Sequence, residues 1–318
     1  MRKMILVTIL AVLLPVFSAR ALTLSPPRIL LATKAGSEAG SVIRLLNESS
    51  VPVRLVSVLQ NFIAEGETGA PRFISADNQA FGLAEWLRLD HSNFVLAPNE
   101  ERLVHFTISV PSDAAPGGHY GAILWSVQAE DADASGVNIV GQTGTLVLLT
   151  VTGALREEMQ LAEFSRDEKL HDALPVSFSV RLENTGTVHV IPEGAVEIRN
   201  MFGKTVAELP LNAFRGTVLP DSVRRFNLRW EKQPGTDVQS PSLVREWSNF
   251  AFGRYTARLS VAYGSDQKFL QAEMDFWVLP WRVLALAAFG ALVIVLGGGI
   301  GIRKYNRWIG RREIEKKS

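Results

Sequence analysis

Apolar and polar residues alternate along most of this chain, in short runs punctuated by Gly, Pro, Asn and Asp. An apolar side chain at every second position gives a strand one face for a core and one for water. Such runs fall at 41–46, 53–60, 102–110, 121–128 and 145–151, and again at 176–183, 194–200, 224–230, 254–262 and 269–278. Many short strands separated by turn formers are the pattern of a sandwich or barrel, so the region between the termini reads as all-β. The pattern is interrupted near 153–161, where the apolar Leu148-Leu149-Thr150-Val151 gives way to Arg156-Glu157-Glu158, and a domain boundary is expected there. Segments 65–71, 130–136 and 233–241 read as long exposed loops, rich in charge and turn formers.

Both ends depart from the alternation. Arg2 and Lys3 precede an apolar run over 4–16, and Ser18-Ala19-Arg20-Ala21 supplies the small residues of a cleavage site, so residues 1–21 read as a secretory signal cleaved after Ala21. Near the other end, 283–302 is free of charge and about as long as the ~20 residues that a ~30 Å hydrocarbon core requires. Trp277 and Trp281 flank it on one side and Tyr305 and Trp308 on the other, as aromatics do at headgroup level. Arg303, Lys304, Arg307, Arg311, Arg312, Lys316 and Lys317 follow, which places this end in the cytoplasm by the positive-inside rule. The expected plan is a signal at 1–21, β-domains at 22–153 and 154–280, a single-pass membrane helix at 281–302 and a basic cytoplasmic tail at 303–318.

Composition sharpens this plan. The whole chain has 33 Lys and Arg against 32 Asp and Glu, but residues 22–281 carry 22 against 30, a net of −8. An acidic extracytoplasmic region lacks the clustered cations that nucleic acid requires. The absence of cysteine removes disulfides, thiolate chemistry and Cys-based metal sites. The five histidines show no metal-ligand spacing, there is no nucleophile elbow or phosphate loop, and Glu100-Glu101 and Glu157-Glu158 are adjacent pairs that a strand would point to opposite faces. Neither an enzyme nor a metal or cofactor site is expected. Asn47-Glu48-Ser49 matches a glycosylation sequon, a pattern short enough to arise by chance.

The most specific local sequence is Pro111-Ser112-Asp113-Ala114-Ala115-Pro116-Gly117-Gly118-His119-Tyr120-Gly121. It reads as a Pro-fixed turn, two glycines free to take positive φ, and a strand start. Two roles are open for it. It is a tight connection with Tyr120 buried as a corner, or it is a binding turn in which a ligand approaches Gly117 and Gly118 while His119 and Tyr120 supply a donor and a stacking face. Asn184-Thr185-Gly186-Thr187-Val188-His189 marks a second turn, later in the chain.

The first of these motifs, with Trp86-Leu87 and Leu96-Ala97-Pro98 before it, resembles the N-terminal domain of WxL-interacting proteins, a family of Gram-positive cell-surface proteins. The Asn184 segment resembles their second domain. The resemblance implies two immunoglobulin-like β-sandwich domains in tandem plus one C-terminal transmembrane helix. It further implies a non-catalytic surface protein that contacts peptidoglycan or another surface protein. Leu279-Pro280-Trp281-Arg282 lacks the threonine and glycine of a wall-sorting signal, so the anchor is the bilayer itself. The alternative, from a different class, is a chaperone-like assembly factor that offers a strand edge to secreted subunits.

Overall fold

The computed structural model describes residues 22–75, 81–128, 142–232 and 242–315, with side chains described as far as Tyr305. The signal at 1–21, the loop at 130–136, the loop at 233–241 and the side chains of the basic tail beyond Tyr305 lie outside the described residues. All ten alternating runs are strands, within a few residues of the expected ends. The described chain falls into two compact units, one running to Ile63 and including Pro71–Leu155, the other comprising Ala64–Ala70 and Arg156–Ser318. Each unit is an immunoglobulin-like β-sandwich.

The first unit contains β1 (Leu22–Ser25), β2 (Arg28–Thr33), β3 (Glu38–Asn47), β4 (Val53–Glu65), β5 (Ala70–Ile74), β6 (Leu87–Leu89), β7 (Asn93–Leu96), β8 (Glu101–Ser109), β9 (Gly117–Gln128) and β10 (Gln142–Val151), with a single 3-10 turn at Ala84–Trp86. One sheet runs β1-β3-β8-β6 and the other β2-β10-β9-β4-β5, with β7 also on β4. β8 shows why they form: Val104, Phe106 and Ile108 are buried while His105, Thr107 and Ser109 between them face water. Trp125 and Ile123 of β9 close the core from the other sheet.

The second unit contains β11 (Met159–Arg166), β12 (Leu170–His171), β13 (Val176–Asn184), β14 (Glu193–Asn200), β15 (Thr205–Pro210), β16 (Ser222–Trp230), β17 (Gly253–Tyr263) and β18 (Lys268–Val278). Its sheets run β11-β13-β16 and β12-β18-β17-β14-β15. Val176, Phe178, Val180 and Leu182 of β13 face Ala257, Leu259, Val261 and Phe276 across its core.

Both units begin with a strand that changes sheets. β1 pairs antiparallel with β3, the chain turns at Pro26-Pro27, and β2 pairs parallel with β10 over six residues. β11 pairs antiparallel with β13, and β12 then pairs parallel with β18, but only at Trp277 and Val278.

A buried asparagine recurs at the same place in each unit, the end of the second sheet-forming strand. Asn47 is fully buried at the end of β3, and its Nδ2 donates to the carbonyls of Val51, Leu96 and Ala97 while its Oδ1 accepts from Ser49. Asn184, fully buried at the end of β13, donates to the carbonyls of Val188 and Val218 and accepts from the Gly186 amide. Each side chain adds to the few backbone bonds of its loop, such as Glu100 amide to Ala97 carbonyl and Val190 amide to Val218 carbonyl. The sequon at Asn47 is therefore an interior loop fastener, inaccessible in the folded unit.

Two helices complete the second unit, α1 (Ser242–Ser248) and α2 (Trp281–Glu315). Residues Trp281–Tyr305 of α2 are long and apolar enough to cross a membrane, and 25 residues of helix reach about 37 Å. The helix continues past the expected end at 302, because nothing in Arg303-Lys304-Tyr305 breaks it. Its start is held to the sandwich. Glu246 of α1, fully buried, accepts the amides of Arg282 and Val283 at 3.0 Å each and pairs with the Arg282 guanidinium at 2.7 Å. Asp172, directly after β12, pairs with Arg282 at 2.8 Å and Arg245 at 2.9 Å. Burial alone would raise the Asp172 carboxyl, but hydrogen bonds and charge from Arg282 and Arg245 hold it below the ordinary carboxylate range.

Two outcomes are expected from these contacts. Asn47→Ala and Asn184→Ala each remove side-chain hydrogen bonds to buried loop carbonyls and should destabilise their own unit by about 1–3 kcal/mol, read as a lower denaturation midpoint with the slope unchanged. Asp172 has a depressed folded-state pKa, so its contribution is intact above about pH 4 and is lost as pH falls through that lower value. Asp172→Asn should therefore lower stability at neutral pH and flatten the acid limb of a stability-against-pH curve; an unchanged acid limb would assign that limb to other carboxylates.

Candidate functional site

The turn at 111–116 is held by backbone bonds: the Pro111 carbonyl accepts from Ala114 within the turn at 3.2 Å and from Gly36 of the β2–β3 connection at 3.0 Å. Gly117 then opens β9 at φ +146°, a conformation that suits glycine. A Cβ on Gly118 would lie 1.9 Å from the Tyr120 hydroxyl, so this glycine makes room for the tyrosine. Tyr120 is 2 % exposed, with its ring against Phe62 and Phe81 and its amide donating to the Phe81 carbonyl. His119 is 7 % exposed, its ring nitrogens facing the carbonyls of Gly82 at 3.3 Å and Ala115 at 3.1 Å.

All four sequence-derived site residues, Gly117, Gly118, His119 and Tyr120, are thus brought together, and all four are buried. The surface they support is that of Trp86. Its half-buried ring packs on His119 at 4.5 Å between centroids. With Glu85, Arg88, Ser109 and Pro111 it lines an open groove of about 700 Å³. Arg88 is fixed there by the carbonyls of Glu85 and Leu87 at 2.8 Å each.

The second unit offers a different feature, an unpaired sheet edge. Because β12 covers only Trp277 and Val278, residues 268–276 of β18 have a strand on one side alone among the described residues. The amides of Trp277 and Leu279 donate toward β12. The β17–β18 register is unbroken, so by alternation Phe269, Gln271, Glu273 and Asp275 direct their amides and carbonyls to the open side. The other edges of this unit are guarded. β11 carries a bulge between Leu161 and Glu163, β15 is six residues ending in Pro210, and the Arg225 amide of β16 donates to the Glu67 carbonyl while Arg181 and Arg225 pair with the Glu67 carboxylate.

The carboxylates on β18 turn back toward β17, and Lys268 at its start donates to the Glu157 carbonyl at 2.9 Å. Arg254 and Thr256 bind the Asp275 carboxylate, and Arg254 holds it below the usual carboxylate range; Arg258 pairs with Glu273. Phe269 at the start of the edge is 66 % exposed, while Leu270, Ala272 and Met274 lean on the core.

Sequence reasoning located β18 but not its open side, since openness depends on the length of β12, a two-residue strand with no periodicity to read. His171 lies in β12, buried against the Glu168 carbonyl at 2.9 Å, and Asp172 in the clamp on α2, roles that no spacing of the histidines signals. Among the described residues no group of three or more His, Cys, Asp or Glu side chains could hold a metal ion.

No family model and no curated protein sequence matches the chain. Among solved structures the class 5 fimbriae chaperone CfaA aligns over 81 % of this chain and 100 % of its own, at 10 % identity and a TM-score of 0.39. The E. coli chaperone DraB aligns over 80 % and 96 %, at 11 % identity and a TM-score of 0.36, and the Pseudomonas aeruginosa CupB2 chaperone over 80 % and 100 %, at 11 % and 0.37.

The packing of the corner makes a direct prediction. Gly118→Ala should destabilise the first unit by about 1–3 kcal/mol through overpacking, and adding Tyr120→Phe should recover part of the loss by removing the hydroxyl that the new methyl meets. Thermal denaturation of the two variants and the double variant checks it; full additivity would mean that the contact does not govern the site.

Proposed function

We propose that this chain is a non-catalytic, single-pass membrane protein whose sandwiches stand outside the cytoplasm and whose β18 edge takes up an extended segment of a secreted or surface protein. The observation that carries this reading is the open edge itself, nine residues without proline or bulge and with no described strand beside them other than β17, charged at its start by Lys268. It is about 30 Å long at the ~3.3 Å rise of a strand. Natural sheets blunt such edges unless they are used, and strand addition uses them by pairing main chain with main chain. The apolar span of α2 and the cations after it support a membrane anchor with the C-terminus in the cytoplasm. An assembly role, in which the edge holds subunits before they pair with one another, follows from the same chemistry.

A second reading is wall contact through the Trp86 groove. An aromatic face beside Glu85 and the fixed Arg88 suits a polymer of sugars and short peptides. The resemblance of the 111–121 run to WxL-interacting proteins also favours it.

Gln271→Pro separates the two. Proline removes an amide on the open side and none from the β17 ladder, so the sheet should form as before. A photocrosslinker at Phe269 in full-length protein in membranes should capture an extracytoplasmic protein, and Gln271→Pro should reduce the yield about tenfold, as losing about 1.4 kcal/mol of main-chain pairing would. Undiminished capture by a folded Gln271→Pro variant would overturn the edge reading. Binding to insoluble peptidoglycan that Trp86→Ala abolishes and Gln271→Pro spares would favour the groove.

A further inference from the structure

Helix α1 is turned inside out. Arg245, Glu246 and Asn249 point into the protein, with Glu246 and Asn249 buried, while Leu243, Val244 and Trp247 face outward at 42 %, 56 % and 74 % exposure. A helix in water shows the opposite arrangement, apolar residues in and charges out. Phe250 extends the apolar side, and Trp281, in the first turn of α2, is exposed as well.

What lies against this surface follows from where it is fastened. The Glu246 carboxylate is 3.0 Å from the first two amides after Trp281, and Arg245 and Arg282 share Asp172. The polar face of α1 is therefore locked to the point where the chain enters the apolar span, and its apolar face lies at that depth. Headgroup layers are about 5–8 Å thick on each side of the hydrocarbon, and they favour tryptophan and aliphatic side chains placed in this way.

We propose that α1 is a membrane-contact element: Leu243, Val244, Trp247 and Phe250 enter the interfacial layer beside α2, so that the second sandwich rests on the bilayer at two joined points. This rests on the membrane-anchor reading above, and it adds that the sandwich is held close to the lipid instead of swinging on its helix.

The cysteine-free chain allows single-site labelling. Val244→Cys, Val293→Cys within the span and Glu208→Cys on exposed β15 each receive a polarity-sensitive fluorophore in the full-length protein, reconstituted in vesicles of phosphatidylethanolamine and phosphatidylglycerol. Lipids with a spin label near the carbonyl end of the acyl chain, or near its terminal methyl, serve as quenchers. The expected result is strong quenching of position 244 by the shallow label and less by the deep one, the reverse at position 293, and none at position 208. Position 244 reading as water while 293 is quenched would overturn the contact and leave the anchor standing. A dry but unquenched position 244 would assign the face to protein, a second copy or another partner, and would equally overturn it. Loss of quenching at 293 would remove the anchor and the inference with it.

Discussion

The residue at which the first strand of each sandwich crosses between sheets fixes which edges the protein exposes. Each split strand has ten strand residues in all, divided as four and six in β1 and β2 but as eight and two in β11 and β12. An early crossing at Pro26-Pro27 leaves β2 long enough to cover β10 from Leu146 to Val151. The late crossing, made where Asp167 turns the chain and accepts the Glu168 amide, leaves β12 able to cover only the last residues of β18. The other eight residues serve the opposite sheet instead, where β11 lies along β13. An open edge in the second unit is thus a consequence of the crossing point, with the composition of β18 itself unremarkable for a strand.

The late crossing also brings Asp172 to the start of α2. Leu170 and His171 pair with Trp277 and Val278, and the next residue faces Arg245 and Arg282. A buried carboxylate such as Glu246 carries a desolvation cost of several kcal/mol. Here a guanidinium and two helix N-terminal amides offset it, the amides being donors that α2 would otherwise leave unsatisfied. The arrangement answers two needs with one group, and it dictates the orientation of α1: with Arg245 and Glu246 committed inward, Leu243, Val244 and Trp247 are left on the outer side with Ser248.

Much of this architecture was legible in the sequence. Ten strands, the change of pattern after Val151 and the apolar helix could be read because each expresses itself as periodicity or as an unbroken apolar run. Short elements could not: β1, β6, β7 and β12 have two to four residues, fewer than an alternation needs to declare itself. Nor could α1, whose seven residues show the amphipathic pattern with its faces exchanged. The Gly-Gly-His-Tyr run was recognisable as special, yet the sequence left its purpose open. Glycine at 118 is required by the Tyr120 ring above it, a steric reason invisible without coordinates. The pairing of Asn47 with Asn184 was equally hidden, because Asn-Glu-Ser and Asn-Thr-Gly share no residue but the asparagine and only the burial of both reveals the shared role.

An open edge recognises backbone, so any selectivity must come from the positions on either side of it. A strand added to β18 would place alternate side chains beside Leu270, Ala272 and Met274, which lean on the core, and the rest beside Phe269, Gln271 and the ion-paired Glu273 and Asp275. The inner row favours apolar residues because polar ones would lose water without gaining a partner. The outer row tolerates polar residues, because its acids already have their arginines and neither attract nor repel strongly. On the edge reading, the segment that would fit best is one that alternates as this chain's own strands do. A sugar polymer has no row of amides to match the edge, which is why the two readings of function fall on different units and on different chemistry.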